Sequence, residues 1–119
     1  MSPILSDARD RIARQFGESD AAVALAGIAK GELQLCISDD WLFTWKRVSE
    51  SELYLCNAVG DFSAIWADIY AKAKNEGYKR ITCHSLRHRA FVRRLSALGY
   101  TAKAEESESG PAFCIWEIK

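Results

Sequence analysis

The sequence predicts an α/β (α+β) fold: a mixed, mostly antiparallel central sheet of about six strands with flanking helices. Six short segments alternate apolar and polar residues, or are apolar throughout, as strands do, and four segments carry apolar residues at helical spacing. With 119 residues, of which 49% are hydrophobic, the chain is long enough to enclose one core. We therefore expect a single domain over residues 1–119, in the order helix, helix, three strands, helix, strand, helix, two strands.

Two helices are expected within residues 4–30. An apolar stripe at helical spacing predicts the first helix over residues 4–16, which ends at Gly17. Ser19 or Asp20 is a suitable N-cap for the second helix, Ala21–Lys30. This helix is nearly all Ala and aliphatic, so we expect it to pack closely against the sheet.

Residues 32–58 are expected to form an antiparallel meander of three strands. Apolar residues recur there with a period of two, and polar turns interrupt the pattern at residues 38–40 and 47–51. Trp41 and Trp45 fall on the same face of the second strand. We expect that face to be core, or to be covered by a helix or by the second subunit of a homodimer.

The helical period returns within residues 61–99, which predict a helix over residues 62–76, a strand over residues 79–84 and a further helix. A strand, a helix and a second strand in this order predict a right-handed crossover between parallel strands. The C-terminal residues 100–118 predict a hairpin around the acidic loop 105–111, whose polar composition is typical of a solvated tip.

Charge and cysteine spacing exclude several classes of protein. The chain has 16 basic and 16 acidic side chains, and no apolar run approaches the roughly 20 residues of a membrane span, so we expect no membrane insertion and consider nucleic-acid binding unlikely on charge. The first residues lack the basic start and apolar stretch of a signal peptide. The four cysteines form no Cys-x-x-Cys pair, which favours reduced, mostly buried thiols over a metal site gathered from several strands. Together these features predict a cytoplasmic protein without a metal ion.

Two segments support a resemblance to a known family. Residues 65–81 form an amphipathic helix with the ending Ala73-Lys74-Asn75-Glu76-Gly77-Tyr78 and run into a strand, and residues 89–100 form a helix that ends in Leu98-Gly99-Tyr100. Their order and separation resemble the GNAT acyltransferases over about residues 32–119. The second segment is also similar to small GNAT-like proteins encoded by bacteriophages. The resemblance implies acetyl-CoA or another acyl-CoA as cofactor, and an amine-bearing small molecule or protein as acyl acceptor.

The resemblance also implies a site for the cofactor pyrophosphate where a strand leads into the central helix, because free N–H groups at a helix N-terminus bind anions. The aligned residues are Asn57, Ala58, Val59, Gly60, Asp61 and Phe62. Gly60 matches the family pattern, but Phe62 replaces a small residue that lets the backbone approach phosphate. A carboxylate 4 Å from the ligand would oppose binding by about 1 kcal/mol in water and about 4 kcal/mol when partly buried. Asp61 is also a good N-cap, so the loop is either a degraded cofactor site or a capped helix without a ligand.

The strands beside this loop carry the candidate catalytic residues. Many family members have a tyrosine general acid on the last helix, where this chain has Leu95, which carries no proton. His84 has a suitable intrinsic pKa for a general base, and Glu52 and Tyr54 are further proton carriers. For His84, a hydrogen-bonded structural role is the alternative.

Basic residues are concentrated between positions 79 and 94. Arg87 and Arg94 are candidates to bind the 3′-phosphate of coenzyme A. Contact of the segment with nucleic acid is a weaker interpretation. The alternative to both is that the basic side chains form a solvated face balanced by the acidic loop. The resemblance therefore predicts a GNAT-like protein that acts as an acyl-CoA-dependent N-acyltransferase with a degraded cofactor loop. The alternative is a GNAT-like binding or structural module without catalysis, such as a phage-encoded accessory or virion-associated protein.

Overall fold

A computed structural model describes residues 2–119, which form four helices and six strands. The elements, in chain order, are α1 Pro3–Phe16, α2 Glu18–Ala29, β1 Gln34–Ile37, β2 Trp41–Arg47, β3 Glu52–Gly60, α3 Phe62–Asn75, β4 Arg80–Ser85, α4 His88–Ala97, β5 Thr101–Glu105 and β6 Ala112–Glu117. The predicted order is confirmed. Within residues 2–119, no helix has the length and apolar character that a membrane crossing needs.

The six strands form one mixed sheet in the order β1-β2-β3-β4-β6-β5. The pairs β1–β2, β4–β6 and β5–β6 are antiparallel, whereas β3 and β4 are parallel. The parallel pair confirms the crossover that the strand–helix–strand order predicts.

The chain divides into two compact units. The N-terminal unit comprises the chain up to Lys46 together with Cys56–Ala67, and the C-terminal unit comprises Arg47–Leu55 and Asp68–Lys119. Strand β3 and helix α3 therefore each contribute residues to both units.

Helices α1 and α2 enclose the core of the N-terminal unit. Ala8 and Ile12 of α1, and Ala21 and Ala24 of α2, are buried in one cluster with Leu42 of β2. Small alanine side chains let the two helices approach closely, and the longer Ile12 and Leu42 fill the remaining space.

Helix α2 differs from the prediction at its start and in its packing. It begins at Glu18 and its N-cap is Gly17, so neither Ser19 nor Asp20 caps it. Gly17 has φ +100°, which lets the chain end α1 and begin α2 within one residue. Its packing is confined to one side: Ala21 and Ala24 are buried in the cluster with Leu42 of β2, whereas Val23 is 71% exposed.

Trp116 of β6 is the largest fully buried side chain of the C-terminal unit. Its ring stacks on Tyr70 of α3 at 5.3 Å between centroids and meets the edge of Tyr100 at 5.1 Å. Phe91 of α4 approaches it at 6.5 Å. Aromatic pairs in these arrangements add to the stabilisation from burial alone, so this cluster holds α3 and α4 on one face of β6.

Candidate active site

The junction of β3 and α3 contains the loop predicted to bind the cofactor. Gly60 has φ +102°, and a Cβ atom there would collide with the carbonyl oxygen of Asp40 and lie 2.8 Å from the Cα of Trp41. The Asp61 N–H donates a hydrogen bond of 3.3 Å to the same Asp40 oxygen. Gly60 is thus required by the close approach of the chain at the start of β2.

Asp61 caps helix α3. Its Oδ1 accepts hydrogen bonds from the N–H groups of Ser63 at 3.1 Å and Ala64 at 3.3 Å. Phe62 is 41% exposed beside them and stacks on Trp66 with 6.2 Å between centroids. Capping by Asp61, one of the two interpretations from the sequence, is therefore present, and two N–H groups of the first turn are committed to a carboxylate.

The other predicted loop residues are tied to neighbouring elements. The N–H of Asn57 donates to Oγ1 of the fully buried Thr44 at 3.1 Å, and that hydroxyl donates to Oδ1 of Asn57 at 2.6 Å. The carbonyl oxygen of Ala58 accepts from Nε2 of Gln15 at 3.1 Å. Sequence reasoning missed Thr44 and Gln15, because neither lies in a motif and Gln15 is 43 residues from its partner.

A surface depression of about 560 Å³ lies in the N-terminal unit. Its lining residues are Arg11, Arg14, Gln15, Asp39, Asp40 and Val59. Of the predicted cofactor-binding residues only Val59 lines it, and the mixture of arginines and aspartates gives it no single charge.

Tyr54 and His84, two of the three predicted catalytic residues, are in direct contact. The Tyr54 hydroxyl and Nδ1 of His84 are 2.5 Å apart, and the exposed His84 ring packs on Phe113 with 5.2 Å between centroids. Which atom donates depends on the imidazole tautomer. With the proton on Nδ1, the imidazole donates to Tyr54 and Nε2 has a lone pair that can accept another proton.

Glu52, the third predicted catalytic residue, does not join this pair. Its Oε1 accepts from Nε of Arg80 at 3.0 Å and its Oε2 accepts from the hydroxyl of Thr82 at 2.9 Å. Because both carboxylate oxygens bind neighbours on β4, Glu52 connects the two parallel strands. The geometry gives Glu52 a structural role, and its catalytic role stays a prediction.

The predicted phosphate-binding arginines are exposed on helix α4. Arg87 is the N-cap residue of α4 but gives no side-chain cap, and Arg94 lies in the last turn. Seven residues at 1.5 Å rise place them about 10 Å apart along the helix axis. Arg87 also lines a depression of about 380 Å³ that includes Leu86 and Gly110.

Part of the basic segment pairs with acids within the C-terminal unit. Arg80 pairs with Glu52, while His88 Nε2 and Arg89 bind Oε1 of Glu106 at 2.9 Å and 3.5 Å. The hydrogen bond from His88, followed by the charge of Arg89, lowers the pKa of Glu106. Only the contacts of Glu106 correspond to the balanced face that the sequence offered as an alternative.

The position of the family's general acid is part of the core. Leu95 is fully buried, so no proton carrier from α4 occupies this place. Among residues 2–119, no group of three His, Cys, Asp or Glu side chains is arranged to bind a metal ion.

Known proteins match this chain in structure but not in sequence. By sequence, no protein-family model and no curated protein matches the chain. An aminoglycoside 6′-acetyltransferase type Ii superposes with a TM-score of 0.70 and 12% identity, over 98% of this chain and 91% of that chain. An aminoglycoside 6′-N-acetyltransferase complexed with coenzyme A superposes with 0.64 and 10% identity, over 97% and 89%. The structure of a proposed GNAT-family acetyltransferase from Desulfovibrio desulfuricans superposes with 0.68 and 13% identity, over 100% and 95%.

The chain has the GNAT fold. This confirms the resemblance that two helical segments indicated. The parallel pairing of β3 with β4 is short within the C-terminal unit. Residues 52–54 pair with residues 80–82, whereas Leu55 and Cys83 do not pair with each other there, and Cys83 pairs with Cys114 of β6. Within that unit, Tyr54 is thus the last residue of β3 that pairs with β4.

Proposed function

We propose that the chain is an N-acyltransferase that transfers an acyl group from acyl-CoA to an amine. The GNAT fold supports the reaction class, and the structural neighbours include an enzyme complexed with coenzyme A. The observation that carries the proposal is the contact between Tyr54 and His84 where the parallel ladder of β3 and β4 ends. The acceptor is an amine-bearing small molecule or protein.

His84 would act as the general base. An amine that attacks a carbonyl carbon must lose a proton, and an exposed imidazole can accept it at Nε2. Tyr54 would hold the ring through Nδ1, and in the tautomer with the proton on Nδ1 the lone pair of Nε2 can accept the amine proton. Acyl-CoA, when bound, supplies the acyl group as a thioester.

The loop at residues 57–62 does not fit a pyrophosphate in the observed arrangement. The Asp61 carboxylate occupies two N–H groups of the first helical turn, and the Asp61 and Asn57 N–H groups donate to Asp40 and Thr44. We therefore assign this loop no step in the transfer. Weak binding of acyl-CoA is the expected consequence.

A second candidate function is a GNAT-like module that binds a partner without acyl transfer. The cap formed by Asp61 and the burial of Leu95 favour it, because both replace parts of the family's chemistry with structural contacts. A phage-encoded accessory or virion-associated protein is one form of this candidate.

The two candidates differ in an acyl-transfer assay that measures free thiol released from acetyl-CoA in the presence of varied amines. If the chain is an enzyme, His84→Ala should lower kcat about 100-fold or more, since a positioned base contributes at least that much. Tyr54→Phe should reduce kcat less and shift its pH profile. His88→Gln, which removes a histidine paired with Glu106, is the matched control and should retain activity.

Binding of acetyl-CoA further distinguishes the enzyme from the binding module. Acetyl-CoA at about 100 times its dissociation constant should add about 2.7 kcal/mol of stability. If millimolar acetyl-CoA causes no thermal shift and no thiol is released, the enzyme is excluded. A shift without release would favour the binding module.

A further inference from the structure

Two cysteines face each other across an antiparallel ladder in the C-terminal unit. Cys83 of β4 is directly opposite Cys114 of β6, inside an unbroken register that runs from Arg80–Glu117 to Ser85–Ala112. Directly opposite residues place their side chains on the same face, with Cα atoms about 4.5 or 5.5 Å apart. Both separations lie within the range of about 4.4–6.8 Å that a disulfide requires.

The two thiols are free and interact with each other. Neither forms a disulfide, and their exposed fractions are 7% for Cys83 and 0% for Cys114. The hydrogen bond with Cys114, followed by burial, raises the pKa of Cys83, and the same hydrogen bond lowers the pKa of Cys114. The Cys114 sulfur also lies 3.7 Å from the carbonyl oxygen of Ala112. The sulfur atoms are thus within reach of each other without a change of register.

We propose that Cys83 and Cys114 form a reversible intramolecular disulfide when the protein is exposed to hydrogen peroxide. One thiol ionises and its sulfur attacks a peroxide oxygen, which breaks the O–O bond and gives a sulfenic acid and one water. The second sulfur then attacks the sulfenic sulfur, and its proton leaves with the hydroxyl group as a second water. The two thiols lose two electrons in total, and the peroxide gains them.

The other two cysteines lack this arrangement. Cys36 of β1 is opposite Phe43, so no thiol faces it across that ladder. Burial raises the pKa of Cys56, and no other cysteine contributes to that shift, in contrast to Cys83 and Cys114. Neither Cys36 nor Cys56 forms a disulfide, and both belong to the N-terminal unit, which makes them a matched control pair.

The bond would lie beside the proposed catalytic residues in sequence but on the other face of the sheet. Cys83 precedes His84 and Cys114 follows Phe113, and consecutive residues of a strand point to opposite faces. The proposal therefore concerns a modification site separate from the Tyr54–His84 pair and holds whether or not the chain is an acyltransferase.

The test uses the full chain, first reduced, then freed of reductant and treated with hydrogen peroxide. Remaining thiols are alkylated after denaturation, and the intact mass and a proteolytic digest are recorded. We expect two of the four thiols to be lost, a mass decrease of about 2 Da before alkylation, and a peptide pair that joins Cys83 to Cys114. Dithiothreitol should restore all four thiols.

Variants identify the pair. Cys36→Ala/Cys56→Ala should lose both of its remaining thiols, whereas Cys83→Ala/Cys114→Ala should keep both of its own. Four unmodified thiols in the wild type, irreversible sulfinic or sulfonic acids, or a link to Cys36 or Cys56 would each overturn the proposal. Because the wild-type digest alone decides among these results, poor folding of a variant leaves the test intact.

Discussion

Gly60 lies where the backbone of the β3–α3 junction meets the start of β2. We expect Gly60→Ala to lower the free energy of unfolding by about 3 kcal/mol or more, because the positive φ costs about 1–2 kcal/mol and the clash with Asp40 adds to it. Gly99→Ala is the control: Gly99 also has a positive φ, +88°, but a Cβ there would meet nothing within 4 Å. Urea denaturation of the two variants measures the difference. Equal losses would show that the contact with Asp40 is unimportant.

Asp61 combines a helix cap with a negative charge at the predicted anion site. Asp61→Ser keeps a capping oxygen and removes the charge, so we expect little change in stability and at least about fivefold tighter binding of acetyl-CoA. Asp61→Ala should lower the free energy of unfolding by about 0.5–2 kcal/mol because it removes the cap. Calorimetric titration and urea denaturation measure the two effects. Asp20→Asn, an exposed acid in the first turn of α2, is the control for loss of charge.

At the residue scale, the sequence predicted some roles and missed others for a physical reason. Asp61 could be identified as a cap because the signal is local: an aspartate directly before an amphipathic helix. The contact of Tyr54 with His84 and the commitment of Glu52 to Arg80 depend on the register of β3 and β4. Residue types and spacing along one chain do not define that register.

Strands β2 and β3 contribute a buried polar pair, Thr44 and Asn57. Thr44→Val would leave the Asn57 amide and its Oδ1 without their partner, so we expect a loss of about 1–3 kcal/mol in the free energy of unfolding. Thr44→Ser retains the hydroxyl and should lose less. Urea denaturation compares them, and an equal loss in both would show that the hydroxyl contributes no more to stability than the methyl group that Ser lacks.

The loop between β5 and β6 is linked to α4 through Glu106. A carboxyl whose pKa is lowered on folding stabilises the protein above its ordinary pKa of 4.5, and this contribution is lost as the pH falls through the lowered value. Glu106→Gln should therefore be less stable than the wild type at about pH 6, and the difference should shrink as the pH falls from 4.5 towards about 3. Glu108→Gln, which removes a carboxylate from the same exposed loop, is the control. Urea midpoints across this pH range test the prediction, which fails if the two variants behave alike.

At the element scale, periodicity identified every helix and strand, and the error lay in the environment of α2. Its almost uniformly apolar composition predicted close packing against the sheet, but only Ala21 and Ala24 are buried and Val23 is exposed. Alanine is a strong helix former and tolerates either environment. An Ala-rich segment therefore indicates a helix more clearly than it indicates burial.

For the whole molecule, the order of elements was enough to predict the fold class and the parallel crossover, because few sheet topologies accommodate a strand–helix–strand unit beside a meander. The division of β3 and α3 between two compact units was not predictable. It depends on which distant segments pack together, and periodicity describes only neighbours along the chain.

That division limits how the protein can be cut. Each unit is made of two stretches of chain, and a fragment that keeps either unit whole must contain residues 47–67. No single break in the gene can therefore yield two pieces that each encode an entire unit. Split-protein reporters built on this scaffold would have to encode that shared stretch twice, once in each half.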